Sequence, residues 1–141
     1  MPLPRNAKIE LLKKVPLFSG CSKAELRELA MVADELDLRR GRTLVREGRP
    51  GREFFILLDG TVRVSRKGRK LNDLAAGDWF GEIALLTDTP RTATVTATSP
   101  IRVLVITDRA FRRVVEWMPS IALKVLATVG QRLATNGRTR A

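Results

Sequence analysis

Between residues 34 and 106 the sequence alternates short apolar segments with turn signals, and that rhythm restricts what the chain can become. "TLVRE" is closed by Gly48 and Gly51, and "EFFILL" by Asp59-Gly60, a dipeptide favoured in hairpins. "TVRVSR" alternates outward and inward residues and ends at Lys67-Gly68; "RKLNDL" then runs on toward Gly77-Asp78. "TATVTAT" sets Ala93, Val95 and Ala97 on one face, and "IRVLVI" closes the set. Strands spaced this regularly predict a small sandwich or barrel.

Both ends read as helix. Residues 7–14 form a short amphipathic helix that stops before Pro16. In "SKAEL", Ser22 and Glu25 have the spacing of a capping box, predicting a helix to about Ala33 that buries Leu26, Leu29 and Ala30. Asp108 is the expected cap of a helix with Phe111, Val114, Val115 and Met118 on one face, broken by Pro119. The last helix sets Ile121, Val125, Val129 and Leu133 four residues apart, with Asn136-Gly137 as its expected stop. The expected organisation is one domain: N-terminal helices over 1–33, strands over 34–106, and C-terminal helices over 107–141, with no repeat or linker.

A chain of 141 residues can bury a real core, and its apolar and charged fractions, 44% and 29%, argue against disorder or a fibre. The single cysteine, Cys21, cannot form an internal disulfide. With no histidine, His-based zinc sites and His acid–base chemistry are excluded. "FFILL" is too short to cross a bilayer and "MPLPRNAKIE" lacks a signal-peptide core, so a cytoplasmic protein with no membrane span is expected. The net charge of +11 is concentrated in "RRGRTLVREGRPGR" (39–52) and "RVSRKGRK" (63–70). Such loops fit either plain solvation or contact with nucleic acid or an anionic membrane. They carry no interleaved aromatics for stacking on single strands.

The stretch "FGEIALLTDTPRTATVTA" (80–97) carries one acid and one base within mostly apolar, hydroxyl-rich surroundings. Burial tolerates a charge only when something pairs with it. Gly81 opens a short helix whose first N–H groups lack partners and attract an anion. Arg91 offers a planar fork for paired oxygens, held by Pro90 before it. Glu82 would suit a sugar hydroxyl. Together they suit a singly charged phosphate joined to a ribose. A triphosphate would need more cations, and no Gly-rich loop ending in GK[ST] is present. On spacing alone, a structural ion pair between Glu82 and Arg91 fits equally well.

"GDWFGEIALLTDTPRTATVTA" resembles the phosphate-binding cassette of the cyclic nucleotide-binding domain family, which includes catabolite activator proteins, kinase regulatory subunits and nucleotide-gated channels. Gly81, Glu82, Ala84, Arg91, Thr92 and Ala93 fill its pattern without a gap. "VPLFSGCSKAELRELA", "EGRPGREFFILLDGTVRV" and "DRAFRRVVEWMPSIALKVLATVGQRLA" resemble the family's helical entry, its glycine-punctuated strand pair and the helices after its β-roll. The resemblance implies a mainly β fold, a double-stranded β-helix of jelly-roll type, with an N-terminal helical segment and two C-terminal helices. Its cassette would span 80–93. It implies that Glu82 accepts a hydrogen bond from the ribose 2′-hydroxyl and that Arg91 pairs with the exocyclic phosphate oxygens. Backbone around Gly81, Ile83, Ala84 and Ala93 would complete the cradle. Thr92 would bear on base choice, Val64 and Leu71 on the purine side, and Arg132 would lie over the base. With the site empty, Glu82 and Arg91 would neutralise each other.

The function so implied is a cytoplasmic cyclic nucleotide sensor, with cAMP preferred and cGMP permitted, and no other cofactor. Occupancy would reposition the C-terminal helix and signal to an output protein. An enzyme is not expected, because no nucleophile–base pair or metal cluster can be assembled. The chain ends about where a transcription activator of this family would start its helix-turn-helix, so no sequence-specific DNA binding is expected. The alternative is a nucleic-acid-associated interaction protein that uses the basic surface and keeps a vestigial pocket.

Overall fold

The structure is a computed structural model and describes residues 2–140, with Arg132 and 135–140 described in backbone only. The chain divides into two compact units, one formed by 1–32 with 112–141 and the other by 33–111. The first turn of the helix that follows the strands is tied to the 33–111 unit. There Asp108 donates its N–H to the Arg52 carbonyl at 2.7 Å, and its carboxylate lies 3.7 Å from the Arg52 guanidinium.

The 33–111 unit contains eight strands: β1 (Asp34–Leu38), β2 (Thr43–Val45), β3 (Glu53–Asp59), β4 (Val62–Arg66), β5 (Arg69–Leu74), β6 (Trp79–Phe80), β7 (Thr94–Ala97) and β8 (Ile101–Thr107). They form two four-stranded antiparallel sheets, ordered β1-β8-β3-β6 and β2-β7-β4-β5. The chain changes sheet at every connection except β4–β5, the order of a jelly roll. The sandwich or barrel expectation therefore resolves as a mainly β jelly roll with flanking helices. Between the sheets lie Phe55, Leu57, Val62, Val95, Ala97, Ile101, Val103 and Val105, the inward positions of alternating strands.

One turn assignment is corrected. Asp59-Gly60 does not close a hairpin, because β3 pairs with β8 and β6 while β4 pairs with β5 and β7. The dipeptide instead carries the chain from one sheet to the other. Gly60 sits at φ +87°, and a Cβ there would lie 2.3 Å from the Pro100 carbonyl oxygen. The hairpin is at Lys67-Gly68, with φ of 51° and 77°, the left-handed pair that a two-residue hairpin needs. β1 and β6 are strands that the sequence reading did not single out. β1, "DELDL", is held by charge across strands: Arg102 on β8 reaches Glu35 at 3.3 Å and Asp37 at 3.7 Å.

The other unit holds α1 (Arg5–Lys13), a 3₁₀ turn (Pro16–Phe18), α2 (Lys23–Met31), most of α3 (Asp108–Trp117) and α4 (Ser120–Arg140). The capping box forms as expected: Ser22 Oγ accepts from the Glu25 N–H, and the Glu25 carboxylate accepts from the Ser22 N–H. The start of α3 differs. Thr107 Oγ1 accepts from the Ala110 N–H, so Thr107 rather than Asp108 caps the helix. α4 runs through Asn136-Gly137 instead of stopping there. Its apolar stripe also fades. Ile121 and Val125 are buried, but Leu133 is 66% exposed. A four-residue step overshoots one 3.6-residue turn, so a strict i, i+4 series rotates off a buried face.

Candidate functional site

Arg91 is fixed first through its backbone. Its N–H donates to the Arg49 carbonyl at 2.9 Å, its carbonyl accepts from the Gly48 N–H at 2.8 Å, and Pro50 bridges Pro90. The half-buried guanidinium then spans two carbonyls. Nη2 donates to Glu53 O at 2.6 Å and Nη1 to Gly81 O at 3.3 Å. Burial pushes its pKa down, while the nearby Glu53 and Glu82 carboxylates pull it up. It stays cationic. The expected mutual neutralisation is thus corrected in detail: Glu82 attracts Arg91 as a neighbouring charge, and the fork's hydrogen bonds go to backbone.

Gly81 has φ +83° and precedes a 3₁₀ turn, Glu82–Leu85. A Cβ there would lie 2.6 Å from Arg91 Nη1 and 2.9 Å from Glu53 O, so both conformation and space require glycine. Ala84 and Leu85 are buried and anchor the turn, while Ile83 stays half-exposed. The first N–H groups of the turn, at Glu82 and Ile83, have no acceptor within it. Being a single turn, it has little macrodipole. Its pull on an anion comes from those N–H groups and from Arg91.

These groups share one cavity of about 290 Å³. Its lining brings together Val64, Gly81, Glu82, Ile83, Ala84, Arg91, Thr92 and Ala93, all expected from the sequence. Leu71 is not among the lining residues; it stands half-exposed on β5. The side chain of Arg132 lies outside the described residues. The sequence reading did not single out Val45, Phe80 or Thr89 in the lining. Phe80 stacks on Phe55 with centroids 5.0 Å apart, which ties the cavity wall to the core. It also missed Arg66, whose Nε donates to the Thr92 carbonyl at 2.9 Å, and Glu47, whose carboxylate accepts from the Lys67 N–H at 2.9 Å. Together these pin the β4–β5 hairpin beside the cassette. Arg66 stands two residues beyond Val64, which was the available signal.

The arrangement can hold one anionic group against the fork and N–H groups, with an acid beside it for hydroxyl donors and apolar walls for a flat ring. Among the described residues no group of three His, Cys, Asp or Glu side chains is placed to hold a metal ion, and no helix is long and apolar enough to cross a membrane.

Comparison with known proteins identifies the family. The family model described as "Cyclic nucleotide-binding domain" matches residues 35–116. The chain is 40% identical over 116 residues to a cAMP-dependent protein kinase regulatory subunit of Mycosarcoma maydis, covering 74% of this chain and 22% of that protein. It spans between 22% and 31% of the length of the curated relatives it matches. Among solved structures, the N-terminal domain of a transcriptional regulator from Streptomyces coelicolor A3(2) superposes with a TM-score of 0.84 at 27% identity, covering 93% of this chain and 95% of that one. A cyclic nucleotide-binding-like protein from Brucella abortus superposes with a TM-score of 0.73 at 32% identity, covering 78% and 98%.

Proposed function

The chain belongs to the cyclic nucleotide-binding domain family, and from that premise we propose that it is a regulatory sensor of cAMP. The observation that carries the reading is the meeting of Arg91, Glu82 and the Gly81 turn in one cavity walled by Val64 and Val95. One fork balances the single charge of a cyclic phosphodiester, whereas a monoester or triphosphate would bring excess negative charge. The Glu82 carboxylate accepts a hydrogen bond from the ribose 2′-hydroxyl. The 290 Å³ of space lies near the lower end of ligand-sized clefts, which suits a small nucleotide. Arg46, next to Val45, and Arg49 and Arg66, bonded to Arg91 and Thr92, are exposed cations whose charge favours anion capture.

Selectivity is modest, with cAMP ahead. Thr92 lines the cavity, and its hydroxyl accepts from the guanine 2-amino group, so cGMP is permitted. Thr92→Ala is therefore expected to weaken cGMP more than cAMP, by about 1 kcal/mol, in parallel calorimetric titrations. Equal losses would remove the base contact from Thr92.

Occupancy repositions the C-terminal helix, and an output protein reads that change. The kinase regulatory relative supports a regulatory role of this kind. Saturating cAMP is expected to alter amide hydrogen exchange over residues 120–134 as well as 81–93. Protection confined to 81–93 would leave a binding module whose helix does not respond.

A further inference from the structure

The geometry points to Gly51, on the loop before β3, as a positioning residue for Arg91. Gly51 is buried, yet its φ is not in the left-handed region, so its backbone conformation does not demand glycine. What demands it is space. A Cβ at this position would lie 1.9 Å from Arg91 Nε, 2.2 Å from Cζ and 2.5 Å from Cδ. All three atoms belong to one side chain, at the root of the fork.

The clash can be relieved only by moving the loop or the arginine, and the loop is the better held. Before Gly51, the Arg49 carbonyl accepts from the Arg91 N–H and Pro50 bridges Pro90. After it, the Arg52 carbonyl accepts from the Asp108 N–H at 2.7 Å, and Glu53 enters β3 in register with Thr107. The arginine is a flexible side chain. It yields, and in yielding it leaves the Glu53 and Gly81 carbonyls that hold its guanidinium in the cavity lining. Gly51 therefore touches no ligand. Its absent side chain is the seat on which the fork rests.

The effect on ligand rests on reading Arg91 as the phosphate-binding group; the steric seat does not. The test is a cycle of Gly51→Ala, Arg91→Ala and the double variant, each measured by cAMP calorimetry and by thermal unfolding without ligand. Gly51→Ala is expected to weaken cAMP roughly tenfold or more, the loss of a charge-assisted contact. Its melting temperature should fall by only about 3–6 °C, for two lost hydrogen bonds. In the Arg91→Ala background, Gly51→Ala should cost neither affinity nor melting temperature, because the obstructed atoms are gone and alanine stiffens the unfolded chain. Should Gly51→Ala alone fail to fold, a folded double variant upholds the seat and an unfolded one overturns it. Equal melting losses in both backgrounds, or none in either, would also overturn it. If the unsubstituted protein binds neither cAMP nor cGMP, the functional reading fails, while the melting cycle still decides whether Gly51 seats Arg91.

Discussion

Arg91→Lys is expected to weaken cAMP roughly tenfold to a hundredfold, on the order of 1.5–3 kcal/mol for a charge-assisted contact. The charge survives the substitution, so bulk electrostatics are unchanged. What is lost is the fork. In the structure the guanidinium already divides its donors between Glu53 O and Gly81 O. An ammonium is a compact charge on a flexible stem and cannot span both carbonyls while presenting two parallel donors to a phosphate. Calorimetry on the variant checks this. Near-normal affinity would mean that the anion is held elsewhere.

The second large effect belongs to the unit formed by 1–32 with 112–141. Glu25 is 3% exposed, yet it carries a full charge. Its carboxylate accepts from the Ser22 N–H at 2.7 Å, from the Ser120 hydroxyl and from Lys124 Nζ at 2.5 Å, fastening the start of α2 to the first turns of α4. Burial pushes this carboxyl up, but hydrogen bonds from Lys124, Ser120 and Ser22 outweigh it and hold the pKa at about 2 instead of 4.5. Glu25→Ala removes the carboxylate's half of the capping box and the ion pair together, while Ser22 Oγ still accepts from the N–H of residue 25. We expect a loss of about 3 kcal/mol, read as a melting temperature lower by about 10 °C. Lys124, itself 39% exposed, can turn to water, which keeps the loss at the lower end for a broken buried pair.

The same pKa shift sets a pH dependence. The folded value is depressed, so the stabilisation is full above the unfolded value of about 4.5 and is lost as pH falls toward about 2. Unfolding followed from pH 6 to pH 2 should show that decline in the unsubstituted protein and a shallower one in Glu25→Ala. Parallel curves would mean that Glu25 is not the group responsible.

What the sequence made legible was local. Ser22 and Glu25 form their capping box because both partners lie within one helical turn. Gly81, Glu82 and Arg91 were legible because all three fall in one contiguous motif. Gly51 and Glu53 were not, because one acts by lacking a side chain and the other through its carbonyl. Asp59-Gly60 was misassigned because the dipeptide specifies a tight turn but not which strand follows beside it. β3 instead finds β8 through contacts distant in sequence. "DELDL" went unread because its acidic pattern matches no strand template. Arg102, far along the chain, supplies the opposing charge. The cap at Thr107 lay one residue from the expected Asp108, since either side chain can serve that role and only the backbone geometry chooses.

Whether this cavity takes a cyclic nucleotide is decided by calorimetric titration of the unsubstituted protein with cAMP. Saturable binding at one site per chain, tighter than for cGMP, is expected. No measurable binding of either nucleotide up to millimolar concentration would contradict it.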